Sequence, residues 1–334
     1  MRIAVDAMGG DLAPGAAVRG ARAAVEKDPD LAVALVGDRE ALNGELASLL
    51  NHPALHWVQA EEIIEPSEAP VQAVRHKAES SLVKCIRLVK NHEAEAAISA
   101  GNTGALMAAG LFVLGRMRGI ERPALTAILP SLKGWGVLML DVGANLDPRA
   151  HQLYQYGVMG SIYCREVYGI DQPRVALLNV GVEEEKGPAV IREAHQLLKH
   201  DPGLNFVGNL EPRELLQGHA DVVVTEGFAG NVALKAIEGA ARDIFREVKS
   251  ALLGGVRQKV GALLVKEGFS ALRRRWDYQE TGGAPLLGLN QIVYKCHGSS
   301  DARAFQSTIL TAAGYCRRGS QTRIEERIQE GAEG

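Results

Sequence analysis

The sequence predicts an α/β protein built on an open, mostly parallel β-sheet with helices on both faces and an additional two-helix arm. Short apolar runs alternate with segments of helical spacing along most of the chain. Several runs are continuously apolar, which is typical of parallel strands that are covered on both faces. Between residues 236 and 276 the alternation stops, and two long segments with an apolar stripe follow each other without a strand between them.

The bulk composition excludes several classes of protein. The chain has 334 residues, a formal net charge of −3 and 5% aromatic residues, which argues against nucleic-acid binding. Four widely spaced cysteines form no metal or redox motif. No apolar run approaches the length of a membrane-spanning helix. We therefore expect a single domain over residues 1–334 that is cytoplasmic and needs neither a metal nor a cofactor.

The amino-terminal part repeats strand and helix. The predicted strands span residues 3–7, 31–36, 55–58 and 96–98. The predicted helices span residues 16–26, 71–90 and 106–114, and a further, polar helix ends at residue 50. In the segment 71–90, apolar residues recur at the spacing of one helix face. Residues 61–70 are acidic and punctuated by proline, so we expect a loop there.

The carboxyl-terminal part continues the alternation before the arm begins. The predicted strands span residues 125–129, 137–140, 175–180, 204–207 and 222–224, and a short strand ends at Val293. One helix is expected to end near residue 198, and a long helix is expected to begin after residue 231. The last residues, 318–334, are rich in charge and are expected to fray.

The apolar stripe of the arm, residues 236–276, has two interpretations. A helical hairpin with such a stripe can pack on its own domain or on a second subunit. The apolar residues near Gly254, flanked by arginines, can instead contact a membrane surface. The stripe by itself does not separate these interpretations.

Polar, glycine-rich turns follow six of the predicted strands, and they indicate where a ligand binds. They span residues 9–11, 99–104, 141–145, 181–187, 226–231 and 297–301. Ligands of open α/β sheets lie beyond the carboxyl ends of the strands. Turns of this kind expose backbone N–H groups, which suit phosphate or another small oxyanion. We expect these turns to meet at one edge of the sheet and to form a pocket.

Common catalytic motifs are absent from the sequence. It contains no dinucleotide fingerprint, P-loop, zincin motif or nucleophile elbow. Lys186 and Lys235 are the nearest candidate cations, although Lys186 follows three glutamates and also fits a solvated charge cluster. His297 fits either a general base or a structural histidine. Spacing alone thus indicates an α/β enzyme that handles a small anion, without an evident covalent nucleophile.

Eight segments, taken together, resemble one family over nearly the whole chain. In order they are MRIAVDAMGGD (1–11), SAGNTGAL (99–106), RPAL (122–125), DVGAN (141–145), NVGVEEEKG (179–187), ADVVVTEGFAGNVALK (220–235), GGAPLLGLN (282–290) and HGSSD (297–301). Each segment is weakly specific alone, but their order is highly specific. The chain resembles the bacterial phosphate acyltransferases of phospholipid synthesis, the PlsX family.

The resemblance implies a reaction and a setting for it. Members transfer a long acyl chain from acyl carrier protein to inorganic phosphate, and a membrane glycerol-3-phosphate acyltransferase then uses the acyl phosphate. The family implies a fold like that of isopropylmalate dehydrogenase and a homodimer whose helical arm, at the dimer tip, makes peripheral membrane contact. No cofactor is implied, because phosphate itself is the nucleophile.

The resemblance places Lys186 and Asn231 at the reaction centre, and the polar turns supply our hypotheses for the remaining site residues. Lys186 and Asn231 are expected to be catalytic, with Lys186 stabilising charge and Asn231 donating a hydrogen bond to the oxyanion. The expected substrate-binding residues are Gly9, Gly10, Asp11, Gly101, Asn102, Thr103, Gly104, Asp141, Asn145, His297, Gly298, Ser299 and Ser300. Cys296 and Gln291 replace an alanine and a glycine that are usual in the family, so the fine geometry near them is open.

Two other functions fit parts of the sequence. His297-Gly298-Ser299 also resembles the nucleotide-contacting stretch of decarboxylating dehydrogenases, but Asp221 and Asp243 do not form the close pair that a divalent metal needs there. The second alternative is a non-catalytic scaffold that recruits acyl carrier protein to a membrane. An acidic carrier protein favours a basic surface, for which the candidates are Arg257, Lys259, Lys266 and Arg273 to Arg275.

Overall fold

The computed structural model describes residues 1–42, 44–133, 135–276 and 283–332. The strands are β1 (Arg2–Asp6), β2 (Ala32–Gly37), β3 (Leu55–Gln59), β4 (Ala96–Ser99), β5 (Ala124–Leu129), β6 (Val137–Leu140), β7 (Arg174–Leu178), β8 (Asn205–Leu210), β9 (Val222–Val224), β10 (Ala284–Leu287) and β11 (Ile292–Lys295). The α-helices are α1 (Gly15–Lys27), α2 (Gly44–Leu49), α3 (Pro70–His76), α4 (Ser81–Lys90), α5 (Thr103–Ala109), α6 (Ala150–Tyr168), α7 (Ala189–His200), α8 (Gly227–Leu253), α9 (Val256–Arg275), α10 (Ala302–Arg317) and α11 (Ser320–Ala332).

The strands form one sheet in the order β3-β2-β1-β4-β11-β10-β5-β6-β9-β7-β8. At one end of the sheet, neighbouring strands among β3, β2, β1, β4 and β11 pair in parallel. At the other end, neighbouring strands among β6, β9, β7 and β8 also pair in parallel. Between these halves, β10 is antiparallel to both β11 and β5, and β5 is antiparallel to β6. The predicted open, mostly parallel sheet is therefore confirmed, but its two parallel halves run in opposite directions.

This reversal corrects the expectation that the glycine-rich turns share one sheet edge. Residues that follow β4 and β11 in one half and β6 and β9 in the other line a common cavity. Four of the turns therefore meet in a cleft between the two halves of the sheet.

Helices cover both faces of the sheet, as predicted. Alternate residues of β1 point to opposite layers: Ile3 and Val5 belong to the core under α1, α6 and α10, whereas Ala4 belongs to the core under α3, α4 and α5. A third apolar cluster lies beneath the base of α8, where Ala233 and Leu234 pack against it.

Helix α6 is not predicted by the sequence, although it is largely buried. Its apolar pattern is diluted by Gly157 and Gly160, where a Cβ atom would come within 2.6 Å of Leu198 and Val222 respectively. These glycines let the helix backbone lie close to β9 and α7. Tertiary packing therefore explains a composition that does not look helical in the sequence.

Two other predictions need correction. The segment 71–90, predicted as one helix, consists of α3 and α4 with a turn between them.

The charged end of the chain, residues 318–334, is not frayed where the structure describes it, because residues 320–332 form α11 with Ile324 and Ile328 buried. Two apolar side chains on one helix face are sufficient to attach this charged segment to the core.

The arm consists of α8 and α9, which pack on each other through Phe245 and Phe269, with ring centroids 5.8 Å apart. Large apolar residues of both helices are exposed, and they include Ile244, Leu253, Val260, Leu263 and Leu264. In the part of the chain that the structure describes, no helix is long and apolar enough to cross a bilayer.

Candidate active site

A cavity of about 530 Å³, the cleft cavity, lies between the two halves of the sheet. Four of the six predicted turns contribute to its lining. Their lining residues are Thr103, Gly104, Gly143, Ala144, Asn231 and His297. The turns at residues 9–11 and 181–187 are not among the described lining residues. The sequence therefore identifies most of the turns that form the cavity but not which of their side chains face it.

The turn after β1 supports the turn after β4 from behind. A Cβ atom at Gly9 would lie 2.5 Å from the backbone nitrogen of Gly101, so the two turns touch directly. The Ser99 hydroxyl donates to the buried Asp6 carboxylate at 2.6 Å and accepts from the Gly101 N–H at 3.0 Å. Burial raises the pKa of Asp6, and the hydrogen bond from Ser99 acts in the opposite direction. Gly9 and Gly101 thus position the cleft rather than line it.

Gly10, Asp11 and Gly298 connect the first turn to the last one. Gly10 has φ +95°, and a Cβ atom there would lie 2.8 Å from the Gly298 carbonyl oxygen. The Asp11 N–H donates to the same oxygen at 2.7 Å. The two turns are thereby fixed to each other by the backbone alone.

Both polar atoms of the Asn102 side chain form hydrogen bonds with backbone groups. Its Oδ1 atom accepts from the Ala105 N–H at 3.0 Å and caps α5. Its Nδ2 atom donates to the carbonyl oxygens of Glu65, Pro66 and Glu68 at 3.1 to 3.3 Å. The neighbouring Thr103 and Gly104, not Asn102, line the cleft cavity.

Asp141 and Asn145 form the framework of the turn after β6. The buried Asp141 carboxylate accepts from the backbone N–H groups of Leu125, Gly143, Ala144 and Asn145 and from the Asn145 side-chain amide, at 2.6 to 3.2 Å. Burial raises the pKa of Asp141, and these donors oppose that shift. The carboxylate fixes the backbone of the turn, and Gly143 and Ala144 form the surface that faces the cavity.

Asn231 lies on the first turn of α8 and faces the cavity. The side chain of Glu226 caps this helix by accepting from the Phe228 and Ala229 N–H groups. Gly230 packs so tightly that a Cβ atom would lie 2.0 Å from the Asp141 carbonyl oxygen. Within the residues that the structure describes, the Asn231 amide makes no hydrogen bond, so its N–H donors are available to a ligand.

Lys295 is a cavity residue that sequence reasoning missed. It ends β11 opposite Ser99 of β4, and its ammonium group donates to the carbonyl oxygen of Ala100 at 3.2 Å and to that of Cys296. Burial lowers its pKa to about 8. Two of its three donors are thus used, which leaves one for the cavity. In the sequence, Lys295 could have been recognised as a site residue because it is a lysine at the end of an apolar strand, just before a polar turn.

His297, Ser299 and Ser300 form the turn after β11. The His297 Nδ1 atom accepts from the Ser299 N–H at 3.2 Å and lies 2.9 Å from the Ser299 hydroxyl. Burial lowers the pKa of His297, so the ring is neutral at neutral pH and carries its proton on Nε2. The buried Ser300 donates its backbone N–H to the His297 carbonyl oxygen. His297 thus adds a neutral ring to the cavity wall.

The candidate cations Lys235 and Lys186 differ in their positions. Lys235 lines the cleft cavity and forms a 2.7 Å ion pair with Glu238, one turn further along α8. Lys186 is exposed and is not among the described lining residues of the cavity. Its turn is held to the protein by the Asn179 amide, which donates to the Lys186 carbonyl oxygen at 3.0 Å.

Comparisons with known proteins place the chain in a family. A family model described as a fatty acid synthesis protein matches residues 1–323. A phosphate acyltransferase from Bacillus licheniformis is 48% identical over 333 residues, which cover 100% of both chains. A phosphate acyltransferase from Bacillus subtilis is 44% identical over 330 residues, which cover 99% of this chain and 98% of the relative.

A solved structure shares the fold at low sequence identity. A phosphotransacetylase from Streptococcus pyogenes superposes with a TM-score of 0.60 at 19% identity, and the match covers 95% of this chain and 94% of that one. It supports the open α/β architecture. The family match and the two relatives decide the class of protein: the chain belongs to the phosphate acyltransferase family of fatty acid synthesis proteins and is an acyltransferase.

Proposed function

We propose that the protein transfers a long-chain acyl group from an acyl carrier protein thioester to inorganic phosphate, giving acyl phosphate and free carrier protein. The observation that carries the proposal is the cleft cavity, where the Lys295 ammonium and the Asn231 amide face a common space between apolar walls. The relatives named phosphate acyltransferases and the fold shared with a phosphotransacetylase support the same chemistry.

The side chains around the cavity favour phosphate as the nucleophile. The thiol in the described lining is that of Cys296, which is buried, contacts the Thr308 hydroxyl at 3.2 Å and has its pKa raised to about 11 by burial. The Thr126 hydroxyl donates to the Pro285 carbonyl oxygen at 2.9 Å. A protonated thiol and a committed hydroxyl are poor nucleophiles, and the Thr103 hydroxyl, which also lines the cavity, has no base as a partner among the described residues to activate it. An attacking phosphate dianion needs no such activation.

The reaction then needs alignment and charge stabilisation. A phosphate oxygen attacks the thioester carbonyl carbon and forms a C–O bond, which leaves a negative charge on the former carbonyl oxygen. Collapse of this intermediate breaks the C–S bond and releases the carrier protein thiolate, which takes a proton from water. We assign the oxyanion hydrogen bond to Asn231, because its amide is uncommitted among the described residues at the cavity wall.

Lys295 is the cation that we assign to the bound phosphate. Its third N–H group is a charged donor in the cavity that Thr103, Gly104 and the His297 ring also line. Lys186, the cation expected from the family resemblance, remains a proposal for charge stabilisation from outside the described cavity lining. Variants of Lys186 and Lys295 separate these two roles.

The arm supports two further proposals. Exposed apolar residues on α8 and α9 suit a homodimer contact, and those near Gly254, such as Leu263 and Leu264, suit peripheral contact with a membrane surface. A position at the cytoplasmic membrane surface would deliver acyl phosphate to a membrane glycerol-3-phosphate acyltransferase for phospholipid synthesis.

The test is acyl transfer from purified acyl carrier protein thioester, with and without inorganic phosphate, followed by hydroxylamine trapping of acyl phosphate. We expect hydroxamate formation above the background of the thioester only when both phosphate and enzyme are present. Thioester loss at equal rates with and without phosphate would contradict the proposal. Carrier protein binding without any thioester loss would favour the scaffold alternative.

A further inference from the structure

A second cavity of about 490 Å³, the side cavity, adjoins the cleft cavity along α8. The two cavities share Ile128, Leu234 and Glu238 as lining residues. Glu238 is held in the ion pair with Lys235, and the apolar residues between the two cavities are Ile128 and Leu234. The side cavity, between the arm and the sheet, is therefore a direct neighbour of the cleft cavity.

The lining of the side cavity is predominantly apolar. Its apolar members are Ile128, Leu129, Pro130, Leu234, Ile237, Ala241, Phe245, Phe269 and Trp276. Its charged members are Glu238, which is paired with Lys235, and the exposed Arg242, Arg246 and Lys249. The apolar majority of the lining suits a flexible hydrocarbon chain.

We propose that the side cavity binds the acyl chain of the substrate, which passes Leu234 from the cleft cavity and meets its length limit at the Phe245–Phe269 pair. This inference rests on the proposed function, because the cleft cavity must hold the thioester carbonyl for the chain to enter the side cavity. The edge-to-face contact of the two rings, with centroids 5.8 Å apart, joins α8 to α9 at the wall of the cavity.

Hydrophobic transfer determines the size of the expected effect. Each methylene group moved from water into an apolar site is worth about a fourfold gain in binding. A chain that extends several methylenes into the side cavity gains much more than a chain that stops in the cleft cavity. Blocking the side cavity should thus affect long-chain donors far more than short-chain donors.

Ala241 and Ala240 provide a matched pair of positions on α8. Ala241 lines the side cavity, whereas Ala240 is exposed and is not among the described lining residues of either cavity. In Ala241→Trp we expect the ratio of kcat/KM for palmitoyl over butyryl carrier protein to fall at least about tenfold. Ala240→Trp should keep the wild-type ratio. Phe245→Ala should enlarge the cavity and shift the preference toward stearoyl over palmitoyl donors.

Direct binding provides a readout that does not depend on turnover. Wild type and Ala240→Trp should bind a fluorescent fatty acid, and Ala241→Trp should bind it at least about tenfold more weakly. Circular dichroism checks that the variants fold, and Ala241→Leu serves if the tryptophan is not tolerated.

The outcomes separate the two proposals. Wild type, Ala240→Trp and Ala241→Trp can all show the same dependence of transfer on donor chain length. That result would overturn the acyl-chain site while leaving the proposed function intact. The same unchanged profile is expected if a second copy of the chain, rather than the substrate, fills the side cavity. Absence of phosphate-dependent transfer from any donor by the wild type would overturn the proposed function and this inference with it.

Discussion

The ammonium group of Lys295 lies 3.2 Å from the carbonyl oxygen of Ala100, in the turn that follows β4. This contact joins the end of β11 to the turn of the neighbouring strand, and it holds a cation at the wall of the cleft cavity. Because two backbone carbonyls orient the group, its remaining N–H direction is fixed before any substrate arrives. Preorganised charge of this kind stabilises a developing oxyanion or a bound dianion without further rearrangement.

The pH dependence of turnover should report on Lys295. Its pKa of about 8 means that the ammonium form prevails below pH 8 and is lost as the pH rises. We expect kcat/KM for phosphate, which reports the free enzyme, to decline through about pH 8 in the wild type. Lys295→Arg, whose charge does not titrate in this range, should lack that decline. An alkaline decline that persists in Lys295→Arg would assign it to another group.

The same group should affect stability with a defined sign. The folded pKa of Lys295, about 8, lies below the value of 10.5 for an ordinary lysine, so between these values the unfolded chain binds more protons than the folded one. The free energy of unfolding contributed by Lys295 therefore rises with pH across this window. Denaturant unfolding should show that the difference between wild type and Lys295→Met changes in this direction. A difference that is independent of pH would contradict the lowered pKa.

Asn231→Ala should lower kcat by about 100- to 1,000-fold, because it removes one oxyanion donor. The side chain is exposed at the cavity wall and makes no hydrogen bond within the described chain, so the melting temperature should stay near that of the wild type. Steady-state kinetics with carrier protein thioester, together with a thermal melt, provides the check. An effect confined to the melting temperature would give Asn231 a structural role instead.

Lys186→Ala should abolish acyl-phosphate formation while the protein stays folded, if the charge of Lys186 reaches the reaction centre. Lys199→Ala is the matched control, since Lys199 is also exposed and forms an ion pair with Glu184 of the same turn. Hydroxylamine trapping measures the product in both variants. Near-normal turnover in Lys186→Ala would remove this residue from the site and leave Lys295 as the assigned cation.

Two glycines of α8 should respond in opposite ways to alanine. In Gly230→Ala the new Cβ atom would lie 2.0 Å from the Asp141 carbonyl oxygen, and the strain should lower the free energy of unfolding by about 1–3 kcal/mol. It should also displace the adjacent Asn231 and reduce turnover. At Gly239 a new Cβ atom would have no described atom within 4 Å, so Gly239→Ala should add about 0.5–1 kcal/mol through helix propensity. Urea unfolding compares the two, and equal effects would contradict the close contact.

Local patterns made most of the fold predictable. Continuously apolar runs identified the parallel strands, and glycine-rich turns after them identified four of the turns that line the cleft cavity. Helix α6 was not predicted because Gly157 and Gly160, which allow its close approach to neighbouring side chains, weaken the helical pattern in the sequence. Helix α11 was not predicted because it is attached through Ile324 and Ile328, which are buried against apolar residues that are remote in the sequence. Both errors concern segments whose structure is decided by contacts that are remote in the sequence.

The sequence by itself determined the fold class, the family and the turns that carry the chemistry, because strand periodicity, glycine and short polar residues act over a few neighbouring positions. Tertiary structure decided which side chains face the cavity. In the folded chain, the side chains of Asn102 and Asp141 accept hydrogen bonds from backbone N–H groups. The Asn231 amide has no partner among the described residues, and Lys295 lies at the cavity wall. A hydrogen bond between residues far apart in the chain depends on the twist and direction of the strands that carry them, and local spacing does not encode that geometry.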